Sequence, residues 1–391
     1  QKTISLNMNE IIKKSPVVIH QLFFLFSQLS ILYLYGISYS GSLAYIGAVS
    51  TFLAVLISLR WDIEILVTKY QTLSENLHDA CVTILFMTII IVFLNTLFGN
   101  LIPIHIILSA LAIGIHESLV SILFVQKKIY IYSFFRTLPA IALIFFAFLG
   151  FGPEIIWPAS FFVSVFFLII YFKSLFMKAF LNLSIQRVKD IKILNKINAA
   201  ITATTFSFFS ALFIIIINYY YGDDYVGLWA NTIRIFNSVL IFLLAASLPF
   251  ALNMLRDKNF AFEKVMIFFY LWFFLLPLIV ISFLVVSNFG IPIFSIFKSF
   301  DSEITNTNLS IIFLIGTAIS FIGSSQGLYQ AINKSISLFL MIIITALFGL
   351  FVLLNSALTF KVLIEIFLLL VMIIVSMILA HLIYHLTYKI K

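Results

Sequence analysis

The chain has 391 residues, of which 63% are apolar and 10% charged, with a mean hydropathy of +1.18. An average soluble domain is about one quarter charged, and no soluble core of this size would hide 46 phenylalanines beside so many aliphatic side chains. The composition therefore excludes a soluble globular protein and predicts an all-α polytopic membrane protein, and the net charge of +8 implies no nucleic-acid partner, because cytoplasmic loops collect such an excess.

No cleavable signal peptide is visible, since the first apolar run begins near Val17 and no small-residue cleavage site follows it. Crossing the hydrocarbon takes about 20 apolar residues, and the chain offers about twelve such runs. They fall at 17–35, 41–59, 80–98, 103–125, 131–151, 156–176, 198–219, 227–250, 262–287, 308–331, 336–354 and 361–386. The longest connections are a basic linker, Lys173–Lys196, and an outer loop, Asn288–Thr307, neither long enough for a soluble domain. The linker separates two halves, 1–188 and 189–391, each expected to form a six-helix bundle, as in transporters built from repeats. With the N-terminus inside, every Lys and Arg falls on the inner side except Lys298 and Lys361, in outer loops, and Arg234, within a span. That asymmetry predicts an even span count and two cytoplasmic termini.

In chain order, the first span carries His20, Gln21, Ser27 and Gln28, paired at seven-residue spacing on one helical face. Just past the second span, Arg60, Asp62 and Glu64 bring three charges to a hydrocarbon boundary. Two readings stand: the charges face a water-filled cavity, or they mark the membrane edge. In span four, Ala110, Gly114, Glu117, Ser118 and Ser121 share a face, with His116 beside it. Glu117 is suited to pair with an arginine, exchange a proton, or make a neutral interhelical hydrogen bond. Arg136 lies near the inner end of span five, after Lys127 and Lys128 and before Pro139.

In the second half, Asn231, Arg234 and Ser238 form a polar face on span eight, continued by Ala245. An arginine so placed either looks into the bundle or snorkels to the outer headgroups. The small residues of span ten, Gly316, Ser320, Gly323 and Gly327, read as a close-packing surface. The outer acids Glu154, Asp223, Asp224, Asp301 and Glu303 read as solvated loop residues. His20, Arg60 and Arg136 in one half and Arg234 in the other predict a cationic chamber suited to phosphate oxygens.

There is no Gly-x-x-x-x-Gly-Lys loop, no His-Glu-x-x-His and no Gly-x-Ser-x-Gly, so no enzymatic site is expected. Transport would draw on an ion gradient or on the substrate's own gradient, with H+ or Na+ as coupling ion and no cofactor. The single cysteine, Cys81, excludes an intrachain disulfide and a cysteine-based metal cluster.

Three N-terminal stretches carry a resemblance: His20-Gln21-Leu22, Gly36-Ile-Ser-Tyr-Ser-Gly-Ser-Leu-Ala-Tyr-Ile-Gly47, and Leu59-Arg60-Trp61-Asp62-Ile63-Glu64-Ile65. Together with Asn288-Phe-Gly290 and Gln326-Gly-Leu-Tyr-Gln-Ala331, their order resembles the bacterial polysaccharide flippases. These export O-antigen and capsule repeat units and belong to the multidrug/oligosaccharidyl-lipid/polysaccharide (MOP) exporter superfamily. The third stretch is similar to the family's Leu-Arg-Tyr-Glu-x-Ala-Ile, with Trp61 in place of Tyr and either Asp62 or Glu64 as the matching acid. The resemblance implies two six-helix bundles around an alternately opened cavity, and an undecaprenyl-pyrophosphate-linked oligosaccharide as substrate. It implies membrane lipid and other polysaccharide-assembly membrane proteins as partners. By position, Arg60, Arg136 and Arg234, with His20, Gln21 and Asn231, would hold the pyrophosphate and glycan, while Asp62, Glu64 and Glu117 would tune them or bind the coupling ion. Two rivals stand beside this reading: a cation-coupled drug exporter of the same superfamily, and a membrane-embedded glycan polymerase. The outer loops are short for the polymerase.

Overall fold

The computed structural model describes residues 8–59, 61, 65, 73–174, 177, 207, 211–238, 261–295, 305–331, 335–354 and 358–388. Among them the secondary structure is entirely helical. In chain order the helices are α1 (Met8–Ser58), α2 (Leu73–Leu97), α3 (Ile104–Val125), α4 (Ile129–Phe148), α5 (Pro153–Tyr171), α6 (Ala211–Tyr221) and α7 (223–238). They continue with α8 (Ala261–Phe294), α9 (Asn306–Ala331), α10 (Ser335–Leu354) and α11 (Phe360–Tyr388). Eight of the described helices are long and apolar enough to cross a membrane. Their outward faces carry large apolar side chains such as Phe93, Phe273, Phe274 and Phe351, a surface that only lipid would cover.

One of those eight is two spans in one. Gly36 interrupts α1 with φ 84° and ψ −175°, a conformation open essentially to glycine alone. Phe24 packs edge-on against the ring of Trp157 at 6.3 Å, and a Cβ on Gly47 would stand 2.9 Å from the same indole. On a straight helix those residues would lie about 35 Å apart. The chain therefore doubles back at Gly36, midway between them. The expected turn between the first two spans shrinks to one residue.

The chain divides into two compact units, Gln1–Ile31 with Ile46–Ala200, and Leu32–Tyr45 with Ile201–Lys391. The expected division at 188/189 falls outside the described residues, and the tip of the α1 hairpin groups with the second unit rather than the first. The physical reason is backbone proximity: a Cβ on Gly41 would collide with the carbonyl of Asp223, and one on Gly227 with the carbonyl of Ile37.

In the first unit α3 is the most buried single span, packed against α2, α4 and α5, with Gly114 lying on Ala54 and Ser58 of α1. In the second unit α9 has the same part, packed against α8, α10 and α11. Gly316 admits the side chain of Asn237 from α7, and Ser324 accepts a hydrogen bond from Trp272 Nε1 at 3.0 Å. Gly316, from the expected close-packing surface, and Ser324 thus face neighbouring helices. Most Ser and Thr hydroxyls inside spans donate to the carbonyl three or four residues back, so they leave no unmet donor in lipid.

Two boundaries lie seven residues from expectation: α2 starts at Leu73 rather than 80, and the end of α8 moves as far. α8 does not end at Asn288 but runs on to Phe294. Gly290 leaves room for Leu309, and Asn306 Oδ1 accepts the Ile291 N–H at 2.8 Å, so the start of α9 supports the extra turn.

Candidate functional site

The first polar cluster begins with a proline. Pro139 has no N–H, so the carbonyl of Phe135, four residues earlier in α4, loses its helical donor. His116 Nε2 lies 3.2 Å from that oxygen and the Ser164 hydroxyl 3.3 Å from it, one from α3 and one from α5. A carbonyl only accepts, which assigns the hydrogen to Nε2. His116 is thereby oriented with Nδ1 toward Glu117, 3.5 Å from Oε1. Glu117 in turn accepts two hydrogen bonds from Arg136, from Nη1 at 2.8 Å and from Nη2 at 2.5 Å. This is the bidentate geometry that suits a guanidinium and a carboxylate best. The Arg136 guanidinium also lies 5.6 Å from the ring centroid of Tyr132, one helical turn earlier.

The second cluster lies in the other unit. Asn231 on α7 exchanges hydrogen bonds with Ser40 on the α1 hairpin, Nδ2 to Oγ at 3.0 Å and Oγ to Oδ1 at 3.2 Å. Its Nδ2 also donates to the Gly227 carbonyl at 2.7 Å. Arg234, one turn further along α7, reaches only Asn231 Oδ1, through a long contact of 3.5 Å, and meets no carboxylate among the described residues. Among the described residues its guanidinium is thus held by one neutral amide oxygen. At the start of α7, eleven residues before Arg234, Asp223 Oδ2 accepts the Ser42 hydroxyl at 2.5 Å. The expectation of a solvated loop acid is corrected there, because the Gly41–Gly227 approach brings the hairpin onto α7.

Of the expected site residues, Arg136 and Glu117 meet, as do Arg234 and Asn231. Arg60, Asp62 and Glu64 lie outside the described residues, as do the side chains of His20 and Gln21, whose backbone belongs to α1. Trp61 is buried, and its Nε1 donates to Thr83 Oγ1 at 3.1 Å. Gln28 is buried with neither amide atom bonded in the described structure. No group of metal-ligating side chains occurs among the described residues. The sequence reading missed Ser40, Tyr132 and Ser164. Tyr132 was legible, standing four residues before Arg136 on the same helix. Ser164 and Ser40 carried no local signal.

No family model matches the chain, and no curated protein matches it. Solved structures do. The MATE multidrug transporter DinF-BH, solved as a complex, is 16% identical and superposes with a TM-score of 0.62 over 97% of this chain and 96% of its own. A MATE protein in complex with MaL6 is 12% identical, with a TM-score of 0.58 over 96% and 94%. An inward-facing multidrug resistance MATE family transporter of the MOP superfamily is 12% identical, with a TM-score of 0.57 over 96% and 93%. At such identities the likeness defines the fold alone. The chain is a multi-pass helical membrane protein with a MATE-like fold.

Proposed function

We propose that this chain is a MOP-type exporter that moves undecaprenyl-pyrophosphate-linked oligosaccharides from the cytoplasmic to the outer leaflet of a bacterial inner membrane by alternating access. The observation that carries the reading is Arg234. A guanidinium within a span, without a carboxylate among the described residues, is costly unless an anion meets it during function. A pyrophosphate oxygen would supply that anion, with the Asn231 amide beside it for a glycan hydroxyl or a phosphate oxygen. Arg60, His20 and Gln21 would extend the same recognition in the first unit, with Asp62 and Glu64 balancing Arg60. Arg136 already has its counter-charge in Glu117, so its part is charge pairing more than substrate capture. No bond is made or broken, and membrane proteins of polysaccharide assembly would supply and receive the substrate.

The test is transfer of a fluorescent isoprenyl-pyrophosphate-linked oligosaccharide across proteoliposomes. Wild type should transfer it and Arg234→Glu should not. Equal transfer by both would remove Arg234 from the mechanism.

A second reading, a cation-coupled drug exporter, has its own support: the solved neighbours are multidrug transporters, and the first unit holds a histidine beside an ion pair. A proton taken up on His116 Nδ1 would place a cation 3.5 Å from Glu117, in competition with Arg136 for the carboxylate. Dye efflux that acidifies proteoliposomes, retained in Arg234→Glu and lost in His116→Phe, would favour this reading over the first.

A further inference from the structure

The antiparallel pair α4 and α5 encloses a groove of about 350 Å³, lined by Phe134, Phe135, Leu138, Phe167, Ile170 and Tyr171. That volume falls among ligand-sized clefts of ~300–1,000 Å³. Four of the six side chains, Phe134, Phe167, Ile170 and Tyr171, are exposed, so the groove opens to the outside of the bundle, where lipid lies. Its walls are wholly apolar, while the end where α4 begins and α5 finishes is basic. Lys127 and Lys128 precede α4, Lys173 follows α5 by two residues, and all three are exposed. No Asp or Glu occurs in 123–134 or 166–174 to balance them.

One of these lysines is already positioned. Lys128 Nζ donates to the Tyr171 hydroxyl at 3.1 Å and sits 5.3 Å from the centre of that ring, at the mouth of the groove. An ammonium has three N–H donors, so two remain for another acceptor. An apolar slot with a fixed cation at its mouth is complementary to a chain with an anionic head. Basic recesses between spans are recognised sites for anionic headgroups.

We propose that the α4–α5 groove holds one acyl chain of a resident anionic phospholipid, whose phosphate is met by Lys128, supported by Lys127 and Lys173. This site is separate from the Arg234 cluster and does not depend on what the protein exports. Its effect is to anchor the α4–α5 hairpin, which carries Arg136 and Ser164, to the lipid around it.

The experiment exchanges the purified full chain into nanodiscs of equal phosphatidylglycerol and phosphatidylethanolamine, releases it in mild detergent, and weighs the lipids it retains by native mass spectrometry. Each basic residue near a headgroup favours the anionic lipid by about fivefold, so wild type should prefer phosphatidylglycerol by about tenfold or more. Lys128→Gln/Lys173→Gln, both exposed positions, should bring the two lipids near parity with the melting temperature unchanged. Ile170→Trp should lower retention of both lipids by filling the groove. The proposal fails if wild type retains the two lipids equally, or if the lysine double variant keeps the preference. Stronger retention of undecaprenyl phosphate than of phosphatidylglycerol, in a mixture of the two, would also overturn it, by giving the groove to the cargo's tail.

Discussion

The two described arginines, one in each compact unit, are treated in opposite ways. Arg136 is gripped by both oxygens of Glu117, rests near the face of Tyr132, and belongs to a network that starts from the carbonyl freed by Pro139. Arg234 has, among the described residues, a single long contact to an amide oxygen. The same side chain at similar cost is thus used once as a built structural pair and once as a charge with room for a partner. A paired arginine is expected to matter for stability, and an under-paired one for what passes by.

The comparison breaks most visibly at Arg234. Arg234→Glu is expected to lower transfer of the lipid-linked oligosaccharide at least a hundredfold, with membrane insertion and melting temperature near those of wild type, and Arg234→Lys to keep part of it. A loss of folded protein comparable to that of an Arg136 variant would erase the distinction between the two sites.

Supplying the missing partner sharpens the contrast. Ser238 lies one turn from Arg234 on the same helix, so Ser238→Glu should offer the carboxylate that Arg136 already has. Transfer is expected to fall about tenfold, as for a loss of ~1.4 kcal/mol of anion binding. The melting temperature should hold or rise. Unchanged transfer would mean the cargo never meets this guanidinium.

At the first site the expected readout is stability. Arg136→Ala leaves a carboxylate without its counter-ion, and Arg136→Ala/Glu117→Ala should recover part of the loss, with a coupling energy of about 2 kcal/mol in detergent unfolding. Strict additivity of the two single variants would show that the pair contributes nothing. The smallest effect belongs to Trp61, within the charged stretch after the second span. Trp61→Phe removes the hydrogen bond to Thr83 and should cost about 1 kcal/mol, with little change in transfer. A transport defect there without a stability defect would assign the residue to the cargo path.

Part of these sites was open to inspection before any coordinates. Glu117 and Arg136 lie at nearly equal distances on either side of the tight turn at 126–128, and neighbouring antiparallel spans bring such mirrored positions to the same depth. The same rule relates Phe24 and Gly47 about Gly36, and apart from residues 59, 98, 103, 149–151 and 172, near their ends, the described parts of the twelve expected spans are helical. Ser40 and Asn231 obey no such rule. They are 191 residues apart, and their contact depends on a glycine-to-backbone approach that leaves no periodic trace. Ser164 is equally silent, because its partner is a carbonyl exposed by a proline on another helix.

The sequence by itself determined that the chain crosses a membrane many times, where most spans begin and end, and which side chains are too polar for lipid. Those properties follow from the length of apolar runs and the thickness of hydrocarbon, which act on each segment alone. The tertiary structure decided which cation is neutralised and which is not, and which tip of a hairpin packs with the distant half. Pairing needs angstrom-scale register between helices, and that register is set by glycines and prolines acting across helix contacts.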